Sequence, residues 1–350
     1  MNFYCIGIDH RSMSVDIREQ LSFAGEEMPM ILSFFSLHKS FAEMVILSTC
    51  NRVEFYFASS LTPARAHKEL QASVEDFLNI PSTGLDHAYV YRNLDAIDHL
   101  FEVCTGLHSM VIGETEILGQ TKSAYQIAKN AKCCGPILNR SFQNAFSAAK
   151  DARTRTNIGR GNVSVASVAV NTAERLVGNL WDKKVLVLGA GDVGQEVTKA
   201  LADRGVQQVL CSSRSSERSL NLAEHYGMKS IAWSAWKNQL CEVDIIVAST
   251  SAPDPILTKQ DLLPFKQRLL QRPLFILDLA VPRDVDPSVG QLTGVCLFNV
   301  DNLKDNASEN LTSRWSERSR CLEILQPAGK KLFAYFQKQH TLSSANFTNT

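Results

Sequence analysis

The run Ser48-Thr49-Cys50-Asn51-Arg52 places a thiol two residues from a guanidinium in a short polar stretch. A cysteine is a nucleophile only as thiolate, and a neighbouring cation lowers the pKa at which the thiolate forms. Arg52 is the candidate for that effect. The competing reading is a free cysteine packed as a small apolar residue. Further along, His99, Ser109, Glu114 and Gln120 offer a base, a hydroxyl, a carboxylate and an amide. By themselves these have bland readings too. His99 lies off the apolar stripe of its predicted helix, where a histidine is a surface or internally satisfied residue. Ser109 and Glu114 are loop residues, and Gln120 on an inward face needs a hydrogen-bond partner that backbone can supply.

A second constellation is Gly189-Ala190-Gly191-Asp192-Val193-Gly194, directly after the apolar run Lys184 to Leu188 and directly before an amphipathic stretch. A bare GxGxxG is weak, but strand before and helix after are the context a dinucleotide needs. The first glycine permits the tight turn, the second lets backbone approach a pyrophosphate, and the third lets helix and strand pack closely. About twenty residues on, the next strand ends in Cys211-Ser212-Ser213-Arg214, where an NAD protein carries an acidic residue for the ribose diol. Ser213 and Arg214 suit a 2'-phosphate instead, which points to NADPH. The alternatives are a degenerate turn used only for packing and a solvated loop arginine.

The elements that must position these groups follow from periodicity. Strands are expected at Phe3 to Ile8, from Met44 to Ser48 and from Val53 to Phe57, so Cys50 sits in the connection between two strands. Helices are expected at about Ser14 to Ser22 and Met28 to Leu37. A further helix begins with Asp95 as N-cap and carries the stripe Ile97, Leu100, Phe101, Cys104. Ser109 to Gly119 reads as a loop, followed by a helix with inward Ala124, Ile127, Ala128 and Ala131, whose face Gln120 shares. A helix over about Ile137 to Thr156 ends at the glycine-containing break after Asn157, suited to a domain boundary. Strands at Lys184 to Leu188, Gln208 to Ser212, Asp244 to Ala248 and Leu274 to Leu279 then alternate with helices, the pattern of a doubly wound parallel sheet. After about Val300 the chain turns helical and charged, and its last ten residues read as frayed.

Length and composition agree with an α/β protein of more than one domain. The chain has 350 residues, 45% hydrophobic and 21% charged, with Lys+Arg and Asp+Glu both 36. No global field draws in nucleic acid or an anionic membrane, so a polyanion must be held by local patches. Nine cysteines, scattered and without CxxC, disfavour a disulfide framework and a zinc site; no metal is expected and reduced thiols in a cytosol fit best. No stretch approaches the ~18 apolar residues of a membrane span, so a cytoplasmic location is expected.

Taken together these segments resemble the glutamyl-tRNA reductase family. The resemblance rests on Gly7-Ile-Asp-His-Arg, Ile17-Arg-Glu, Leu47-Ser-Thr-Cys-Asn-Arg-Val-Glu, His99-Leu-Phe, Gly106-Leu-His-Ser-Met-Val-Ile-Gly-Glu, Ile117-Leu-Gly-Gln, the glycine loop and Asp278-Leu-Ala-Val-Pro-Arg-Asp, in order over about the first 300 residues. It implies an N-terminal α/β catalytic domain that binds glutamyl-tRNA (1–157), a Rossmann NADPH domain (158–302) and a short helical dimerisation region (303–350). It further implies that Cys50 is the nucleophile, that His99 matters for activity, and that Thr49, Asn51, Arg52, Ser109, Glu114, Thr115, Glu116 and Gln120 line the substrate pocket. Arg52 is then the partner of the substrate's side-chain carboxylate and Glu114 of its α-ammonium, while His99 assists proton transfer to the leaving hydroxyl.

The implied activity is NADPH-dependent reduction of glutamyl-tRNA(Glu) to glutamate-1-semialdehyde through a Cys50 thioester, the first step towards 5-aminolevulinate and haem. The implied partners are glutamyl-tRNA(Glu), a second copy of the chain and glutamate-1-semialdehyde aminomutase. Two departures stand out: Glu114-Thr115-Glu116 replaces the family's usual Glu-Pro-Gln, and the region after Leu303 is shorter than its usual dimerisation helix. The rival readings are an NADP-dependent shikimate-type dehydrogenase, which needs no cysteine, and a non-catalytic NADPH-binding redox sensor.

Overall fold

The computed structural model describes residues 1–23, 27–80, 84–159, 164–303 and 311–339. The expected fraying of the last ten residues, 341–350, lies outside them. Packing divides the chain into two compact units, Met1–Gly161 with Asn310–Thr350, and Asn162–Glu309. The sequence reading draws its boundaries at 157/158 and 302/303 and sets the C-terminal region apart, whereas here that region belongs to the first unit.

The first unit is built on four antiparallel strands, β1 (Asn2–Asp9), β2 (Glu43–Ser48), β3 (Arg52–Ser59) and β4 (Tyr89–Arg92), in the order β2-β3-β1-β4. Helices α1 (Val15–Gln20) and α2 (Met28–Ser36) link β1 to β2, and α3 (Pro63–Leu78) links β3 to β4. Successive side chains on a strand point to opposite faces. On one face Phe55 and Phe57 meet Phe23, Phe35 and Phe41, with ring centroids 5.1–6.1 Å apart. On the other, Arg52, Glu54 and Tyr56 lie opposite Asp9, Gly7 and Cys5 across the β1–β3 register. All eight residues of β3 are buried, so this second face is covered despite its charges. Gly7 makes that possible: a Cβ there would stand 2.5 Å from the Val53 carbonyl oxygen and 2.8 Å from Glu54 Cγ.

The remaining helices of this unit are α4 (Leu94–Thr105), α5 (Glu116–Asn130) and α6 (Pro136–Arg155). Two expectations are corrected here. Asp95 is not the N-cap of α4 but lies in its first turn. Asn93 occupies the cap with φ +55° and turns its side chain to the Phe3 amide rather than to the helix. The presumed loop to Gly119 is also too long, because α5 begins at Glu116 and takes Gly119 into its first turns. Its buried stripe is Ile117, Thr121, Tyr125 and Ala128, so Gln120 flanks the inward face and is half-buried.

The second unit opens with α7 (Val165–Val177), whose cap Ser164 accepts from the Ser167 amide. Six parallel strands follow: β5 (Lys184–Leu188), β6 (Gln208–Ser212), β7 (Lys229–Ser230), β8 (Ile245–Ala248), β9 (Leu274–Asp278) and β10 (Val295–Asn299). Their order β10-β9-β8-β5-β6-β7 is the doubly wound arrangement. Helices α8 (Asp192–Asp203), α9 (Ser216–Tyr226), α10 (Lys259–Leu262) and α11 (Lys266–Gln271) form part of the connections. Four strands match the sequence expectation. The other two, β7 and β10, are a two-residue strand and one mostly half-buried, both too weakly patterned to read.

The long α12 (Leu311–Lys338) returns to the first unit and packs on α4 and α6 through buried Cys321, Leu325, Leu332 and Phe336. No helix among the described residues is long and apolar enough to cross a membrane.

Candidate active site

Cys50 sits at the apex of the β2–β3 hairpin. Thr49 shapes the turn: its amide donates to the Arg52 carbonyl at 2.9 Å, and its hydroxyl accepts from the Asn51 and Arg52 amides at 3.2 Å. The Asn51 carbonyl receives the His10 amide at 2.8 Å, so the end of β1 braces the same turn. Cys50 and Asn51 are half-buried.

Arg52 does not do what the sequence suggests. Its side chain is 1% exposed; one nitrogen donates to Glu54 Oε1 at 2.6 Å and another to the His108 carbonyl at 2.6 Å. The cation acting on the Cys50 thiol is Arg18 of α1, which donates to the Cys50 carbonyl oxygen. Even so, the thiol is not activated at rest. Burial pushes it up to about 12, Glu116 and Glu114 add to the rise, and Arg18 opposes it.

Glu54 is the hub beneath the turn, and it lay outside the predicted site. Besides Arg52 it accepts from Tyr89 at 2.6 Å and Tyr56 at 2.5 Å, and it faces His99 Nε2 at 2.8 Å. Burial would raise its carboxyl, but Arg52, His99 and these hydrogen bonds outweigh burial and hold it well below the usual carboxylate range. A buried ion pair needs such saturation, because desolvation of both charges must be offset. Cys5, Glu54 and His99 place potential metal-binding atoms within 4.8 Å of one another. Both Glu54 oxygens are already engaged, so the cluster is a hydrogen-bonded network in form.

His99, 4% exposed, is neither a surface residue nor open to a substrate. Its ring stacks on Tyr91 at 4.7 Å and lies 5.0 Å from that of His108. A helix covered on several sides buries off-stripe positions too, so of the two readings the internally satisfied histidine holds.

The segment after α4 brings Ser109 and Glu114 together, Ser109 Oγ donating to Glu114 Oε1 at 2.8 Å. Glu114 also accepts from the Glu116 amide at 2.6 Å and the Ile117 amide at 3.2 Å, capping the N-terminus of α5. Burial raises its carboxyl, against those three donors. Arg153 of α6 clamps the segment by donating to the carbonyls of Thr105, Gly113 and Glu114 at 2.8–3.1 Å. Arg153 also went unread. Thr115 is exposed and Glu116 half-buried.

In the second unit, the glycine turn joins β5 to α8. Gly189 has φ +107°, and a Cβ there would stand 2.5 Å from the Ser249 carbonyl oxygen; one at Gly194 would collide with the Gly189 carbonyl. Gly191 has open space where a Cβ would be and caps α8, leaving room for a phosphate at a helix N-terminus. Ala190 is buried, Val193 half-buried and Asp192 exposed in the first turn. At the end of β6, Ser213 is half-buried, and Arg214 is exposed with one nitrogen 3.2 Å from Ser251 Oγ. The residues present therefore fit a dinucleotide.

Asp278 and Asp284 organise the neighbouring strand ends. Asp278 accepts the amides of Ala280, Asp284 and Val285, and Asp284 accepts the amide and hydroxyl of Thr250. Burial raises Asp278 to about 7 and Asp284 to about 6.

Fold and site define a two-unit oxidoreductase: a dinucleotide fold in one unit and, in the other, a cysteine on a hairpin turn under the influence of Arg18, Glu114 and Glu116. Residues 6–156 match the N-terminal domain of glutamyl-tRNAGlu reductase, and residues 171–306 match shikimate/quinate 5-dehydrogenase. The chain is 37% identical over 336 residues to the glutamyl-tRNA reductase of Akkermansia muciniphila, covering 95% of this chain and 98% of that one. It is 37% identical over 351 residues to that of Citrifermentans bemidjiense, covering 100% and 79%. The solved glutamyl-tRNA reductase from Methanopyrus kandleri superposes with a TM-score of 0.52 at 33% identity, covering 96% of this chain and 81% of that one. The chain belongs to the glutamyl-tRNA reductase family, enzymes of the first step of tRNA-dependent porphyrin synthesis. The shikimate-type match is confined to the nucleotide-binding part.

Proposed function

We propose that the Cys50 thiolate attacks the ester carbonyl joining glutamate to the 3' end of tRNA(Glu). The Sγ–C bond forms, the C–O bond to tRNA breaks, and the departing oxygen takes a proton, leaving a thioester on Cys50. NADPH, when bound, supplies the hydride that turns this acyl group into glutamate-1-semialdehyde, and Cys50 returns as thiolate. A thioester carbonyl accepts hydride more readily than the oxygen ester, and the covalent link keeps the acyl group in place.

The observation that carries this reading is the half-buried Cys50 on a turn pinned by Thr49, His10 and Arg18, with the carboxylates of Glu114 and Glu116 acting on its thiol. Those carboxylates suit the substrate's α-ammonium, and its arrival would lift their opposition to the thiolate. Ser109, Thr115, Asn51 and Gln120 complete the pocket. With its guanidinium already bonded, Arg52 is a positioning residue that ties the hairpin to the Ser109 segment. His99 positions Glu54 rather than relaying a proton.

For the cofactor, Gly189 to Gly194 hold the pyrophosphate, and Ser213 with Arg214 take the 2'-phosphate of NADPH. We assign residues 1–157 to glutamyl-tRNA, 158–302 to the cofactor, and the stretch after Leu303 to a homodimer contact, in a cytoplasmic protein that hands its labile aldehyde to the aminomutase.

The test uses labelled glutamyl-tRNA without NADPH, quenched and run on a denaturing gel at low pH. Wild type should carry a labelled adduct and Cys50→Ser none, with NADPH affinity retained. Semialdehyde formation by Cys50→Ser at a comparable rate would mean that hydride reaches the oxygen ester directly.

A further inference from the structure

We propose that Arg18 is a positioning residue for acyl transfer: its guanidinium fixes the Cys50 turn through the Cys50 carbonyl and faces the developing thiolate with positive charge. The proposal rests on the reading of Cys50 as the nucleophile.

Arg18 lies 32 residues before Cys50 in the chain, on the short helix α1. It is among the largest fully buried side chains of the protein, with 0% exposure. A guanidinium is taken out of water only where its donors find partners. Here Nε reaches the Met13 carbonyl at 3.3 Å, and one terminal nitrogen donates to the carbonyl of Cys50 itself. The first contact ties the arginine to the segment entering α1. The second ties that segment to the apex of the hairpin.

Three other charges bear on the thiol's surroundings, and they sort by role. Arg52, two residues from Cys50, is committed to Glu54 and the His108 carbonyl. Glu116 and Glu114 oppose the thiolate. Arg18 is the cation that favours it. Planarity matters as well as charge, since a guanidinium can hold two carbonyls in a fixed fork and an ammonium is a point charge on a flexible stem.

The experiment compares Arg18→Gln and Arg18→Lys with wild type in the full chain. The readouts are the pH profile of Cys50 alkylation by iodoacetamide, followed by peptide mass, and the single-turnover rate of adduct formation with glutamyl-tRNA. Near-ultraviolet circular dichroism and NADPH binding report folding. Arg18→Gln should alkylate about tenfold more slowly at pH 8, as a rise of one pKa unit implies, and its adduct formation should fall by more than that. Arg18→Lys should recover most of the alkylation profile but not the acylation rate, a split that a merely structural residue would not produce.

Wild-type alkylation and acylation in a folded Arg18→Gln would overturn the proposal. Should that variant fail to fold, Arg18→Lys decides: a wild-type acylation rate overturns the positioning role, and a loss of about tenfold or more with a wild-type near-ultraviolet spectrum and Cys50 alkylation profile supports it. A Cys50→Ser protein that still forms the adduct would instead sink the nucleophile reading, whatever Arg18 does.

Discussion

The hairpin turn at Cys50 and the glycine turn at Gly189 are both short connections leaving a strand, yet they are built by opposite means. The glycine turn works by omission. Side chains are missing where backbone must pass close to backbone, and every determinant lies within six consecutive residues plus Ser249. The cysteine turn works by accumulation. Its polar groups come from α1, β3, α4 and the segment before α5, and they meet only when the first unit is folded. A site made of backbone space is robust to its neighbours, whereas a site made of buried charge depends on every partner staying paired.

That contrast predicts its largest effect at Glu54. Glu54→Gln leaves Arg52 buried without its carboxylate, so denaturant unfolding of the first unit should show a loss of about 3–5 kcal/mol, the usual consequence of breaking a buried pair from one side. A loss below about 1 kcal/mol would mean that the tyrosines and backbone carry the network without the charge.

Gly194→Val comes next. Its side chain would meet the Gly189 carbonyl, so NADPH affinity should fall at least about 100-fold, ~2.8 kcal/mol by titration. The labelled Cys50 adduct should still form, because its determinants lie in the other unit. Loss of the adduct in this variant would show that the two turns are not independent.

The smallest effect is expected at Arg214, an exposed side chain. Arg214→Ala should narrow the preference for NADPH over NADH by about tenfold, ~1.4 kcal/mol, read as the ratio of kcat/KM values. An unchanged ratio would move 2'-phosphate recognition to other groups, Ser213 first.

Much of the fold was legible along the chain. The strands at Lys184 and Gln208 end where alternation and apolar runs said they would, and Cys50 lies in the inter-strand connection. Helix starts were harder. Asn93 takes a positive φ and gives its side chain to Phe3, so the nearby Asp95 drew the cap two residues too far in. Glu114 caps α5 from two residues outside it, which no acidic residue announces by itself, and the register of the α5 stripe slipped with it. For His99 the stripe left a surface and an internally satisfied residue both open, and the second holds, because α4 is covered on several sides.

What the sequence alone determined is what depends on short-range geometry: the strand–glycine–helix turn, the cysteine in its hairpin, and the absence of an acidic residue after β6. Backbone sterics and side-chain alternation act within a few residues, so their marks stay local. Only the tertiary structure decided which arginine reaches the Cys50 turn, that Glu54 gathers Arg52, Tyr56, Tyr89 and His99, and that Arg153 clamps the Ser109 segment. Partners 32, 35 or 45 positions apart leave no spacing to read. A buried charge takes whichever partner the packed core brings within reach, and proximity in the chain gave Arg52 no claim on Cys50 once Glu54 lay 2.6 Å away.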